Sequence, residues 1–191
     1  ITAQFRLTAS ATPIDSGYIT LNLNAFGTDQ ITGSSVNVLG SVQTDSILLQ
    51  TPAAVRVFAI TNPASVRQGQ NDIATTLAVR NYGQARAQLN SVTLNFRNGN
   101  TYYNRELIAP TFPFFIDGGQ QDTITYDVDV LTTAPLGVDS LRGGVQFQEV
   151  NRTQDGTHTS AYLSAWQVFG SGGVNILAVQ ADLDTVSTGQ D

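Results

Sequence analysis

The chain has 191 residues, of which nine are Arg, none Lys, fifteen Asp or Glu and one His, so its formal net charge is −6 and its pI about 4.5. At roughly 150 residues per domain it makes one large domain, or one domain with parts of its neighbours. The lack of Cys, Met and Lys excludes a disulfide framework, a thiolate metal site, a cysteine nucleophile and any lysine-dependent chemistry, and the acidic balance argues against nucleic acid and anionic membrane, which both require basic surface.

Alternation of apolar and polar residues with period 2, the mark of half-buried strands, dominates the chain. A short strand is expected at 5–9. In 17–25, Ile19, Leu21, Leu23 and Ala25 share one face while Tyr18, Thr20, Asn22 and Asn24 share the other. A short strand follows at 35–39. Residues 55–60 alternate with less contrast, and the strand at 73–79 ends at Asn81-Tyr82-Gly83. Val92, Leu94 and Phe96 mark a strand over 91–97. Asn98-Gly99 then predicts a tight hairpin into Thr101-Tyr102-Tyr103, because both turn residues tolerate positive φ. Asp117-Gly118-Gly119 precedes a strand at 122–130, with Ile124, Tyr126, Val128 and Val130 on one face. Strands at 141–150, 161–168 and 174–181 complete the set, with 151–159 read as a polar loop. Pro63 and Pro135 each close a strand, since proline donates no ladder hydrogen bond. No segment has a capped 3.6-residue period, and no run approaches the roughly 18 apolar residues of a membrane-spanning helix. Strands about every ten residues, separated by turn signals, read as an all-β antiparallel β-sandwich.

The pattern also repeats. Val55-Arg-Val-Phe-Ala-Ile, followed by Val66-Arg-Gln-Gly-Gln, matches Val174-Asn-Ile-Leu-Ala-Val, followed by Val186-Ser-Thr-Gly-Gln. Phe5-Arg-Leu-Thr-Ala similarly matches Tyr126-Asp-Val-Asp-Val. Both matches have an offset of about 120 residues, the size of one sandwich domain. The expected organisation is therefore a tandem repeat: 1–54 as the C-terminal half of a preceding unit, 55–173 as one complete unit, and 174–191 as the first strand of a following unit or a donor strand. With Ile1 at its start and no Met, the chain reads as a processed or excerpted product.

Two segments carry a family resemblance. Gly69-Gln70, the strand 73–79 and Asn81-x-Gly83-x-Ala85, with Gly118-Gly119-Gln-Gln-Asp-Thr123 further on, resemble the CARDB-type bacterial adhesion-related domain over about residues 55–150. The resemblance implies an Ig-like sandwich, used as a tandem module of large secreted or cell-surface bacterial and archaeal proteins. It implies no catalytic residues.

Individual residues add weaker signals. One His, His158, in Asp155-Gly-Thr-His-Thr reads as an exposed loop histidine, because a lone imidazole without Cys cannot build a zinc site unaided. No Gly-x-Ser-x-Gly elbow accompanies the Ser, His and Asp present, so the chain is not expected to be an enzyme. Asp127 and Asp129 share one strand face, as do Asp182 and Asp184. A structural calcium there competes with a plain solvated face, because calcium requires six to eight oxygens. Otherwise no cofactor is expected. Tyr102 and Tyr103, with Phe112, Phe114 and Phe115, form the aromatic concentration. They could present a platform for a surface glycan, or close the end of a core. Trp166 reads as core or inter-domain contact. Asn151-Arg-Thr153 is an N-glycosylation sequon.

The function these signals support is a structural repeat unit of an extracellular surface fibre or adhesin, partnered by copies of itself or by adjoining repeats. Edge-strand donation would join the copies: Val174, Ile176 and Ala178 would supply the strand, and Ile19, Leu21 and Leu23 the acceptor groove. The alternative is a carbohydrate-binding or accessory spacer module of a secreted enzyme, with Tyr102 and Tyr103 touching the sugar. Low charge, abundant Thr and Gln and the all-β pattern favour the cell exterior, with no membrane insertion.

Overall fold

A computed structural model describes residues 17–20, 25–38 and 46–172. Fourteen strands and one short 3-10 turn make up its regular structure, and no helix among the described residues is long and apolar enough to cross a membrane. Four short strands come first: β1 (Gly17–Thr20), β2 (Ala25–Thr28), β3 (Ser35–Val38) and β4 (Ser46–Leu49). β1 pairs antiparallel with β4, and β2 with β3. The turn between β2 and β3 is set by Asp29, whose Oδ1 accepts from the backbone N–H groups of Ile31 and Thr32.

The remaining strands build an all-β sandwich. One sheet runs β5 (Val55–Thr61), β7 (Ile73–Asn81), β11 (Gln121–Val130) and β9 (Tyr103–Ala109), all antiparallel. The other runs β10 (Phe114–Ile116), β8 (Ala87–Phe96), β12 (Gly137–Glu149), β14 (Ser164–Phe169) and β6 (Ser65–Arg67). β13 (Gln154–Thr159) pairs the second half of β12, on the edge where β14 pairs the first half. The chain thus changes sheet between β5 and β6, and β6 lies parallel to β14. Apart from the short β6 and β10, the order follows the A-B-E-D and C-F-G scheme of Ig-like sandwiches.

The period-2 residues meet between the sheets. Ile124, Tyr126, Val128 and Val130 of β11 face Val92, Leu94 and Phe96 of β8, and all are buried. Where the sequence contrast fades, the cause is a bulge, which adds one residue and reverses the facing of those beyond it. The β5–β7 register shifts between Val57 and Ala59, which returns Ile60 to the core where strict alternation from Val55 would face it outward. A shift in the β8–β12 register likewise separates buried Leu89 from buried Val92. Gly143 lets the sheets close: a Cβ there would lie 2.7 Å from Val57 Cγ1 and 2.9 Å from Leu77 Cδ2.

Two expectations are corrected. Asn98-Gly99 is not a hairpin turn, because β8 and β9 belong to different sheets. The Asn98 N–H donates to the buried Asp139 carboxylate and the Phe96 N–H to Asn100 Oδ1, and these side chains carry the strand across the end of the sandwich. The polar loop expected at 151–159 is largely strand β13, paired to β12 from Gly144 to Glu149. The strand expected at 161–168 is β14, so β13 and β14 share one edge as a single interrupted strand. Ser160 spans the interruption: its N–H donates to the Gly143 carbonyl and its Oγ accepts from the Gly143 N–H.

Candidate interaction surfaces

Three buried polar side chains of the sandwich, Asn81, Glu149 and Asp139, hold its own loops. Asn81 uses its whole amide: Nδ2 donates to the carbonyls of Ala85 and Ile116, and Oδ1 accepts from the N–H groups of Ala54 and Gly83. Glu149 accepts from the Ala53 N–H and is clamped by the Arg152 guanidinium. Asp139 accepts from Asn98 and from the Tyr103 hydroxyl. These carboxylates and amides are spent on architecture.

The expected site residues divide accordingly. Tyr103 is 3% exposed and stacks on Phe96 with ring centroids 3.9 Å apart, and Tyr102 is half-buried against the core. Tyr102, Tyr103, Phe112 and Phe114 therefore pack on the core while Phe115 stays 49% exposed, and Tyr103 offers no ring to a sugar. Trp166 lies in that same stack, 5.3 Å from Phe96. Asp127 and Asp129 do share the outer face of β11, but one Asp129 oxygen already accepts from the Asp72 N–H. Among the described residues no group of three or more His, Asp or Glu is gathered as a metal site would need. Asn151 of the sequon is exposed in the β12–β13 turn, where its amide donates to Gln50. Leu21, Leu23, Val174, Ile176, Ala178, Asp182 and Asp184, with the strand expected at 5–9, lie outside the described residues.

His158 is a half-buried residue of β13 rather than an exposed loop residue. Burial, and secondarily the charge of Arg56, hold its imidazole below the ordinary 6.5. The unfolded chain therefore takes up this proton first as pH falls, so stability is full above about pH 6.5 and declines below it. Thermal melts from pH 7 to pH 5 should show a steeper loss of Tm for the native chain than for His158→Gln. Parallel curves would remove His158 from the acid response.

The sandwich edges are protected. β9 carries Asn104, Arg105 and Glu106 on its exposed length, β5 is bulged at Phe58, and β6 and β10 are three residues long. Charges, bulges and shortness are the devices that prevent edge-to-edge pairing. The β1–β4 ladder, four residues to a strand, has neither charge nor bulge. Its eight residues carry no charge, and Ile19, 43% exposed, lies directly opposite Ile47, 39% exposed. Tyr18 and Leu48 form the neighbouring exposed pair. Where this ladder meets the sandwich, Gly17, Tyr18, Leu48, Leu49, Gln50 and Gln84 line an open cleft of about 270 Å³. The junction is tied by Gln84 and Ala85, whose N–H groups donate to the Thr51 carbonyl.

No family model matches the chain, and no curated protein matches it. Among solved structures, the ASH / PapD-like domain of human CEP192 (PapD-like domain 7) is similar with a TM-score of 0.36 and 14% identity, covering 66% of this chain and 89% of that one.

Proposed function

We propose that this chain is a structural repeat module of an extracellular bacterial or archaeal surface fibre, joined to its neighbours by strand addition. Kinship with CARDB-type modules is part of the same proposal. The β1–β4 ladder is the observation that supports the reading most directly. A two-stranded ladder is at best marginally stable alone, and here its apolar pairs Ile19–Ile47 and Tyr18–Leu48 remain exposed beside edges without charge or bulge. An added strand of alternating apolar residues would satisfy the open backbone groups and cover one of these faces. Val174, Ile176 and Ala178 have the required alternation, and Ile19 with Leu21 and Leu23 would receive them. The engagement of Asn81, Asp139 and Glu149 in loop fixing agrees with a mechanical role for the sandwich.

Negative-stain electron microscopy and sedimentation of the full chain, beside a chain ending at Gly173, test this reading. The full chain should form regular assemblies. The shortened chain should lose them while its thermal unfolding transition persists. Assembly that survives the truncation, or a full chain without regular assemblies, would overturn it.

A further inference from the structure

The outer face of the four-stranded sheet separates its charges along the strands. At one end Arg56 and Arg80 stand directly opposite each other on β5 and β7. Both are exposed, and the 52% exposed Tyr82 ring lies 5.8 and 5.2 Å from their guanidinium carbons. Among the described residues neither arginine is ion-paired, although like charges directly opposite each other weaken a strand pair. At the other end Asp127 faces Glu106 of β9, and Asp129 accepts from the Asp72 N–H. Eight residues separate Asp72 from Arg80, about 26 Å of strand. The ground between is uncharged: Ala74, Thr76, Ala78, Thr123 and Thr125 on the two central strands, with Phe58, 39% exposed, beside them on the edge strand β5.

We propose that this face packs against the same face of a second copy, the strands of the two copies running oppositely about a two-fold axis near Thr76. Rotation about that axis carries the arginine end of one copy onto the carboxylate end of the other, and does so twice. Such reciprocity is what an isologous interface requires. A partner of uniform charge would satisfy one end and be repelled by the other. A second copy reproduces both signs at the same spacing, and electrostatic complementarity of this kind fixes register and suppresses wrong partners. The small central residues permit the roughly 10 Å approach of packed sheets. The contact is independent of strand addition, because it uses neither 174–191 nor the β1–β4 ladder.

Sedimentation of the full chain at low and high salt provides the test. A dimer that weakens with salt is expected, and Arg56→Glu/Arg80→Glu should lower its affinity by about 100-fold or more. Combining that variant with Glu106→Arg/Asp127→Arg should restore association. Because the chain has no cysteine, Thr76→Cys provides a single thiol near the axis and should give a covalent dimer with a short bis-maleimide linker, since facing sheets about 10 Å apart are too far for a direct disulfide. This readout also stands should the charge variants fail to fold. The chain ending at Gly173 should dimerise unchanged, which separates this contact from strand addition. A full chain monomeric at low salt, no restoration by the charge exchange, or no cross-link through Thr76→Cys would each overturn the proposal. Lack of restoration would point instead to a separate anionic partner on Arg56 and Arg80.

Discussion

Asn81→Ala is expected to destabilise the sandwich by about 3–6 kcal/mol, because it leaves several buried backbone groups without partners at about 1–3 kcal/mol each. The Asn81 side chain is fully buried and reaches three segments: the entry to β5 at Ala54, the turn at Gly83 and Ala85, and the end of β10 at Ile116. Chemical denaturation with the midpoint and slope both fitted would measure the loss. Asn81→Asp keeps the shape and both acceptor contacts but sets carboxylate oxygens against the Ala85 and Ile116 carbonyls. It should be as damaging at neutral pH and should recover in part on acidification, when a protonated carboxyl can again donate. Asn151→Ala, at an exposed turn, should change stability by no more than about 0.5 kcal/mol. A comparably small cost for Asn81→Ala would show that its four contacts are replaced by water. The adjacent glycines belong to the same corner. A Cβ on Gly83 would stand 1.9 Å from the Pro52 carbonyl oxygen, and one on Gly118 2.2 Å from that of Gln84. The Asn-x-Gly spacing is thus a packing requirement, with one residue supplying the hydrogen bonds and the other the space.

The strands that alternate cleanly were legible because one face of each is buried and the other solvated. β11 is the clearest case, with Ile124, Tyr126, Val128 and Val130 all buried. β13 was not legible, because Gln154-Asp-Gly-Thr-His-Thr has no apolar face. Its position depends on pairing with β12 and on Gly156, where a Cβ would meet the Phe147 ring at 2.4 Å. The crossover at Asn98-Gly99 is hidden from the local sequence for a related reason. Local turn chemistry favours a hairpin there, whereas Asp139, some forty residues away, accepts from the turn and holds it in another path. Of the candidate surfaces, the shared face of Asp127 and Asp129 was readable from their spacing. The opposition of Arg56 and Arg80 was not, since it depends on the β5–β7 register, which shifts between Val57 and Ala59. Tyr103 was singled out for its aromaticity, but nothing local distinguishes an exposed tyrosine from one whose hydroxyl is held by a distant carboxylate.

That carboxylate makes the second prediction. Asp139 is fully buried in β12, with one oxygen accepting from the Asn98 N–H at 3.0 Å and the other from the Tyr103 hydroxyl at 2.8 Å. Asp139→Ala removes both contacts at once and leaves a phenol and a backbone donor buried without acceptors, so a loss of about 3–5 kcal/mol is expected. Tyr103→Phe retains the ring stack with Phe96 and Trp166 and unpairs only one carboxylate oxygen, for about 1–3 kcal/mol. The two losses should not add in the double variant, since both delete the same bond. Asp139→Asn separates hydrogen bonding from charge. Its amide oxygen can still accept from Asn98 and its amide group can donate to the phenol oxygen, so a cost below about 1.5 kcal/mol is expected if hydrogen bonding is what matters. A loss as large as that of the alanine variant would make the negative charge itself the requirement. Alkaline titration gives an independent check. Burial first, then the bond to Asp139, push the Tyr103 phenol above its ordinary 10.0. The folded state therefore holds this proton longer than the unfolded chain, and its contribution to stability is full below pH 10 and is lost as pH rises beyond it. Absorbance titration near 295 nm should find at least one tyrosine that ionises only as the sandwich unfolds. Ionisation of every tyrosine near pH 10 with the fold intact would show that the Tyr103–Asp139 bond does not close the end of the core in solution.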